Sequence, residues 1–315
     1  MRALVTGGAG FIGSAIVREL LSAGYHVRVL DDLSTGKLEN LPDDPRLEIQ
    51  VGSILDPEAL ARAAFGCDAV SHQAAMVSVP RSLEEPGLCR ALNAEGSRLV
   101  LAAARRAGAR RACFASSAAV YGNDVPLPVR EDGSTLSPIS PYGESKLEAE
   151  RLAAGIAGPE FQVAALRYFN VFGPRQAVSG GYPALVAALA TAVAAGRSFT
   201  LFGDGSQTRD LVFVGDVARA NRWALEAEFV APFSALNIGT GEERSLLEVV
   251  AAVETAAGRP AQILGQPERP GDIRRSVADV SLAATLGWRA EKPFLDGVGE
   301  TYAHYAGLHG ASARV

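Results

Sequence analysis

Val5-Thr6-Gly7-Gly8-Ala9-Gly10-Phe11-Ile12-Gly13-Ser14 is the stretch on which the fold turns. Before it, residues 2–6 (RALVT) read as a buried strand. After it, residues 11–23 place Phe11, Ile12, Ile16, Val17, Leu20 and Leu21 at helical spacing. A strand, a glycine turn and a helix in that order open a dinucleotide-binding βα unit. Gly7, Gly10 and Gly13 allow a tight turn, a close approach of backbone to a pyrophosphate, and close helix packing. The helix N-terminus at Phe11 and Ile12 offers amides and the positive end of its dipole to phosphate. Asp31 ends the next strand, 26–31 (HVRVLD), eighteen residues beyond Gly13. A carboxylate there accepts hydrogen bonds from an adenosine ribose and repels the extra phosphate of NADP, with no arginine directly following to compensate. The expected cofactor is therefore NAD. Asp32 is either a further cofactor contact or a solvated turn residue.

The alternation continues outward from this unit. Residues 46–51, 68–72, 111–116 and 162–168 read as strands, and 57–65, 91–107 and 142–157 as helices. Repeated βα units of this length imply parallel strands with right-handed crossovers, hence a Rossmann-type, doubly wound α/β sheet. From about Phe172 the pattern loosens into Gly/Pro-rich turns, with helices near 183–195, 216–226 and 245–257 and short strands near 198–202 and 211–214. The expected division is a cofactor domain over 1–170, with about 211–242 returning to it, and a smaller α/β substrate-binding region formed by 171–210 and 243–315.

The bulk properties narrow the partners. With 48% hydrophobic and 21% charged residues, and no apolar run near the ~20 residues of a membrane span, a membrane protein is not expected. A net charge of −5 with scattered Lys and Arg gives no footprint for nucleic acid. Cys67, Cys89 and Cys113 are too few and too irregularly spaced for a disulfide framework, and His26, His72, His304 and His309 lack metal-ligand spacing, so reduced thiols and no metal are expected. Because the first strand starts almost at Met1, no leader is expected ahead of the fold, and the expected location is the cytoplasm.

The chemistry is concentrated after the strand at 111–116. Ser116-Ser117 ends it, Tyr142 follows 25 residues after Ser117, and Lys146 stands four positions later, on the same face of a helix. A lysine so placed stabilises phenolate, which makes tyrosine a usable base near neutrality.

With these residues in place, the chain resembles the extended short-chain dehydrogenase/reductases, and most of all the UDP-hexose 4-epimerases. The matching runs are VTGGAGFIGS (5–14), LDDLSTGK (30–37), HQAAMVSVPRS (72–82), SSAAVYG (116–122), SPYGESK (140–146), LRYFNVFGPRQ (166–176), FGDGSQTRD (202–210), NIGTG (237–241) and RPGDIRRSVAD (269–279). The resemblance implies that Ser117 hydrogen-bonds the reacting hydroxyl, Tyr142 is the general acid/base and Lys146 grips the nicotinamide ribose. It implies that Asn93 supports the site from its helix, that Tyr168 lies by the nicotinamide, and that Ala74 and Ile54 belong to the cofactor wall. On the substrate side it implies Asn170, Arg209 and Arg269 at the diphosphate, Phe202 on uracil and Asp272 at the uridine ribose. Guanidinium groups suit a diphosphate, since they bind it bidentately. The family's homodimers pack the helices corresponding to 91–107 and 142–157. Leu99, Leu101, Leu147 and Leu152 are compatible with such a face, and equally with the core.

Rival activities remain within the same resemblance. The 4,6-dehydratases carry an Asp-Glu pair after the active-site Thr and the decarboxylases a Thr-Ser-Glu signature, whereas Ser117 here is followed by Ala118 and Ala119. Non-catalytic NAD(P)-sensing relatives have lost the tyrosine, which is present here. Three departures stand out. Gly52-Ser53-Ile54 replaces the usual Gly-Asp-Ile, so the adenine contact at Ser53 is weaker or differently made. Val77 stands where galactose-type enzymes carry a lysine. Ser276 stands where glucose/galactose-restricted members carry a tyrosine, and a small residue there implies room for the N-acetyl group of UDP-GlcNAc and UDP-GalNAc.

Overall fold

The computed structural model describes the chain except residues 124, 133–134, 179–184, 269–273 and 313–315, and the side chains of 310–312. Six strands succeed one another through the first half: β1 (Arg2–Thr6), β2 (His26–Asp31), β3 (Leu47–Val51), β4 (Ala69–His72), β5 (Arg111–Ser117) and β6 (Gln162–Tyr168). Short strands follow: β7 (Asn170–Phe172), β8 (Phe199–Phe202), β9 (Thr208–Arg209) and β10 (Leu211–Phe213). Then come β11 (Phe233–Ile238), β12 (Arg244–Ser245) and β13 (Ile263–Gln266). Seven strands form one parallel sheet in the order β3-β2-β1-β4-β5-β6-β11.

Both faces of this sheet are covered, which is why its inner strands read as near-continuous apolar runs. Side chains of one strand alternate between two cores: Ala3 and Val5 enter one, Leu4 the other. The first core is closed by the helices Phe11–Ser22 and Val214–Glu226, through Ile16, Val17 and Leu20 against Val217, Ala220 and Ala224. The second is closed by Pro57–Ala64, Gly96–Arg106 and Pro141–Ile156. Helix starts carry the expected chemistry. Asp56 accepts from the Glu58 and Ala59 amides ahead of Pro57, and Ser140 accepts from the Gly143 amide at 3.2 Å, with Pro141 at the first helical position.

Several elements differ from the sequence-based expectation. The helix expected over 91–107 starts earlier: Pro86–Arg90 runs through a wide turn, Ala91–Glu95, into Gly96–Arg106. Val79–Glu84, Ser281–Thr285 and Phe294–Ser312 are helices with no counterpart in the reading above. Leu101 and Leu147 are buried within the protomer, in two different cores, so they are not part of an exposed face. Leu99 and Leu152 are partly exposed.

The chain order along the sheet reverses between β1 and β4. In doubly wound sheets the carboxyl ends of strands at such a point form the ligand crevice. Here those ends are Thr6 and His72, which lie side by side in register.

Candidate active site

Above these strand ends lies a cavity of about 2050 Å³. Gly7, Gly10, Phe11, Ile12, Gly13, Asp31, Asp32, Ile54, Ala74, Tyr142, Lys146 and Tyr168 line it, as do Ser117, Asn170, Phe202 and Arg209. Gly7 has φ of +66°, and a Cβ there would stand 2.6 Å from the Ala74 nitrogen. A Cβ at Gly13 would stand 2.0 Å from the Gly7 carbonyl oxygen. These two glycines close the turn on itself. Gly10 differs: a Cβ there would meet only the Gly7 oxygen, at 3.2 Å, so a side chain would stand in the cavity. No side chain caps the helix that starts at Phe11, so its N-terminal amides are left for a ligand.

Asp31 is held from both sides. Its Oδ2 accepts from the Ala9 amide at 2.9 Å and its Oδ1 from the Leu33 amide at 2.8 Å, which leaves one lone pair on each oxygen for ribose hydroxyls. Asp32 is exposed, and its Oδ1 accepts from the Ser34 amide and hydroxyl, tying its own turn. Two expected cofactor residues are off the wall. The Ser53 hydroxyl accepts from the Leu55 amide at 3.1 Å and serves its local turn. Asn93 has no exposed surface. Its amide group accepts from the Met76 N–H and donates to the Met76 carbonyl and Ser145 Oγ, so it braces the site from behind instead of touching a ligand.

Ser117, Tyr142, Lys146 and Tyr168 gather at the ends of β5 and β6, where Ser117 and Tyr168 are paired in register. Ser117, whose hydroxyl accepts from the Ala119 amide at 3.2 Å, and Tyr142 line the same part of the cavity. Burial pushes the Tyr142 phenol up, and the nearby Ser117 hydroxyl offsets only part of that rise. Lys146 is 4% exposed; burial pushes its ammonium down to about 8, and its Nζ donates to the Ala115 carbonyl at 2.8 Å while standing 5.9 Å from the Tyr142 ring centre. The expected depression of the phenol by the lysine is not seen: burial raises the phenol, and Ser117 is the group that lowers it. Tyr168 donates to Gln73 Oε1 at 3.1 Å and accepts from Asn221 Nδ2 at 2.8 Å, which fixes its ring at the cavity.

Two buried polar threads support this wall, and local spacing gave no sign of either. In one, Ser116 Oγ donates to Glu150 Oε1 at 2.5 Å, Arg167 pairs bidentately with Glu150 at 2.9 and 2.6 Å, and Arg167 Nη1 donates to the Tyr121 hydroxyl at 2.8 Å. Glu150 lies one turn beyond Lys146, Ser116 precedes Ser117 and Arg167 precedes Tyr168, so this thread sets the helix against both strand ends. In the other, burial pushes His72 down to about 3, so it is neutral. Ser97 Oγ donates to the Asn93 carbonyl and must accept from His72 Nε2 at 3.0 Å, which leaves Nδ1 to accept from Thr6 Oγ1 at 2.6 Å.

A family model described as the NAD dependent epimerase/dehydratase family matches residues 3–239. The chain belongs to that family. It is 37% identical to the UDP-glucose 4-epimerase of Mycolicibacterium smegmatis over 308 residues, 96% of this chain and 97% of that protein. Its fold matches a UDP-N-acetylglucosamine 4-epimerase from Methanobrevibacter ruminantium solved with UDP-N-acetylmuramic acid (TM-score 0.92, 32% identity, 98% of each chain). It also matches the UDP-glucose 4-epimerase of Thermus thermophilus solved with NAD (TM-score 0.88, 39% identity, 98% of this chain and 99% of that one). The cradle that a Cβ at Gly10 would fill, the uncapped helix N-terminus and Asp31 fit the family's cofactor, NAD.

A second part of the cavity lining of this family member is built from Asn170 on β7, Phe202 at the end of β8 and Arg209 on β9. Arg269 and Asp272 lie outside the described residues. Ser276 does not line the cavity; its carbonyl accepts from the Asp210 amide at 2.7 Å. Val77 does line it and is exposed. Among the described residues no helix is long and apolar enough to cross a membrane, and no group of three or more His, Cys, Asp or Glu could hold a metal ion. The three cysteines are free and buried.

Proposed function

We propose that this protein is an NAD-dependent UDP-hexose 4-epimerase. The observation that carries the reading is that Ser117, Tyr142 and Lys146 line one cavity together with the glycine cradle and with Asn170, Phe202 and Arg209. Ser117 orients the sugar 4-hydroxyl, and Tyr142 takes its proton. Bound NAD supplies the acceptor that takes the hydride from C4 and gives it back. Tyr142 would give the proton back to the same oxygen at the end of the cycle, so substrate and product would differ only at C4. Lys146 holds the nicotinamide ribose and stabilises the ionised phenol. Arg209 pairs with the diphosphate, joined by Arg269, while Phe202 stacks on uracil, Asp272 meets its ribose and Asn170 orients the diphosphate.

Elimination of water from the sugar would need carboxylates beside the reacting centre, and Ala118 and Ala119 stand there instead. In this reading residues 1–170 and 211–242 serve the cofactor, and 171–210 and 243–315 serve the nucleotide sugar. The protein acts in the cytoplasm as a homodimer packed through the helices Gly96–Arg106 and Pro141–Ile156. Incubating purified protein with UDP-glucose, UDP-galactose, UDP-GlcNAc and UDP-GalNAc tests the activity. Interconversion within at least one pair is expected, and bound NAD without epimer formation from any of the four would sink it.

A further inference from the structure

Asp210 has no exposed surface and does not line the cavity, yet both of its carboxylate oxygens and both of its backbone polar groups are hydrogen-bonded. Its Oδ1 accepts from the Thr240 amide and the Thr240 hydroxyl, each at 2.7 Å. Its Oδ2 accepts from the Gly241 amide at 2.9 Å and the Ala278 amide at 3.1 Å. Its own amide donates to the Ser276 carbonyl at 2.7 Å, and its carbonyl accepts from the Asn170 amide at 3.0 Å. One residue therefore ties together β7, the turn after β11 and the segment 276–278, next in sequence to Arg209.

We propose that Asp210 is the positioning residue of the nucleotide-sugar wall, setting Asn170, Arg209 and the 276–278 segment in one arrangement that receives the uridine diphosphate. The proposal rests on the epimerase reading for the identity of that ligand. Only a carboxylate of this length offers four acceptor sites and no donor; an asparagine of the same shape would turn its NH₂ toward N–H donors. The surroundings are built around that charge. A Cβ at Gly239 would stand 2.7 Å from Asp210 Oδ2 and 3.0 Å from the Ala278 Cβ, so Gly239 makes room while Thr240 and Gly241 supply donors. The runs TRD (208–210) and NIGTG (237–241) are thus two halves of one junction. Asp210 acts through its neighbours, because the atoms that reach the cavity are those of Asn170, Phe202 and Arg209. The carbonyl of Ser276 is in the same junction, so the proposed substrate-breadth position depends on it as well.

The test uses Asp210→Asn and Gly239→Ala in the full-length protein carrying NAD. UDP affinity is measured by calorimetry, kcat and KM by epimerisation of UDP-glucose, and NAD per chain by absorbance. For Asp210→Asn the UDP Kd and the UDP-glucose KM should rise about tenfold or more, the scale of one hydrogen bond to a charged group. Gly239→Ala should move both in the same direction by a smaller factor. NAD content should stay at the wild-type level, and kcat should change far less than KM. Unchanged UDP affinity in both variants would overturn the proposal. So would a fall in NAD content and kcat that matches the rise in KM, since that marks general loss of structure. If Asp210→Asn yields no folded protein, Gly239→Ala decides by the same criteria. A wild-type protein with no affinity for UDP would contradict the epimerase reading itself, and is seen before any variant is compared.

Discussion

The wall that carries Ser117, Tyr142 and Lys146 and the wall that carries Asn170, Phe202 and Arg209 face one cavity but are built by different means. The first sits on the ends of long parallel strands and a sixteen-residue helix, and buried side chains bolt these elements together: Ser116, Glu150, Arg167 and Tyr121 in one thread, Thr6, His72, Ser97 and Asn93 in the other. The second rests on strands of two to four residues, β7, β8 and β9, whose alignment depends on backbone hydrogen bonds and on Asp210. The difference matches the tasks proposed for the two walls. Proton and hydride transfer need groups held to a fraction of an ångström, which regular elements with locked side chains provide. Holding a nucleotide tolerates looser support, because its affinity is spread over several contacts.

If this contrast is right, damage to the first wall appears in kcat and damage to the second in KM. The largest effect is expected for Tyr142→Phe, which removes the proposed acid/base while preserving the ring. The kcat should fall by roughly 10³–10⁴, at the upper end of general acid–base contributions, with NAD content unchanged. A rate within threefold of wild type would remove Tyr142 from the chemistry. Glu150→Ala comes next, because it leaves Arg167, 4% exposed, as an uncompensated buried charge. A loss of about 3–5 kcal/mol in chemical unfolding is expected, together with a fall in kcat larger than any change in KM. The opposite split would assign Glu150 to substrate binding and break the comparison.

His72 gives an effect confined to acid pH, with a definite sign. Its folded value of about 3 lies below the ordinary 6.5, so between those values the unfolded chain holds one more proton than the folded one. Stability should therefore rise with pH across that window, by about 1.4 kcal/mol per pH unit from this residue, and be lost as pH falls toward 3. His72→Asn should flatten that acid slope, measured by unfolding at a series of pH values. An unchanged slope would place the acid sensitivity elsewhere. The smallest effect on ordinary turnover is expected from Ser276→Tyr, which should reduce turnover of the N-acetylated UDP-sugars selectively while UDP-glucose conversion stays within a few-fold of wild type. Equal loss on both pairs would mean that Ser276 has no part in substrate breadth.

The same contrast explains what could be read from the sequence. The glycine turn, Asp31 and the Tyr142–Lys146 pair are local patterns whose spacing mirrors a turn, a strand end and a helix face, so their placement follows from short-range geometry. Glu150 and Arg167 lie 17 residues apart, and Asp210 and Ala278 lie 68 apart; only the folded chain brings them together. Glu150 and Arg167 in isolation read as an exposed helix residue and a strand cation, which is the usual fate of both types. The strand β11 mixes Ser234 and Asn237 with apolar residues, so its place in the parallel sheet was visible only as a return of 211–242 to the first domain. Ser53 departs from the family pattern at the adenine contact, and the resemblance implies that Asn93 supports the site from its helix. The structure puts Ser53 Oγ in its own turn and buries Asn93 behind the cavity, since hydrogen bonding to nearby backbone satisfies both.

The central claim is that NAD ends each turnover as it began, returning the same hydride to C4. The most direct measurement is conversion of UDP-glucose carrying deuterium at C4 by the purified protein, without added NAD, followed by NMR. The account predicts UDP-galactose that retains deuterium at C4 over many turnovers, with no build-up of reduced cofactor. Loss of the label to solvent, or accumulation of reduced cofactor in step with product, would contradict it.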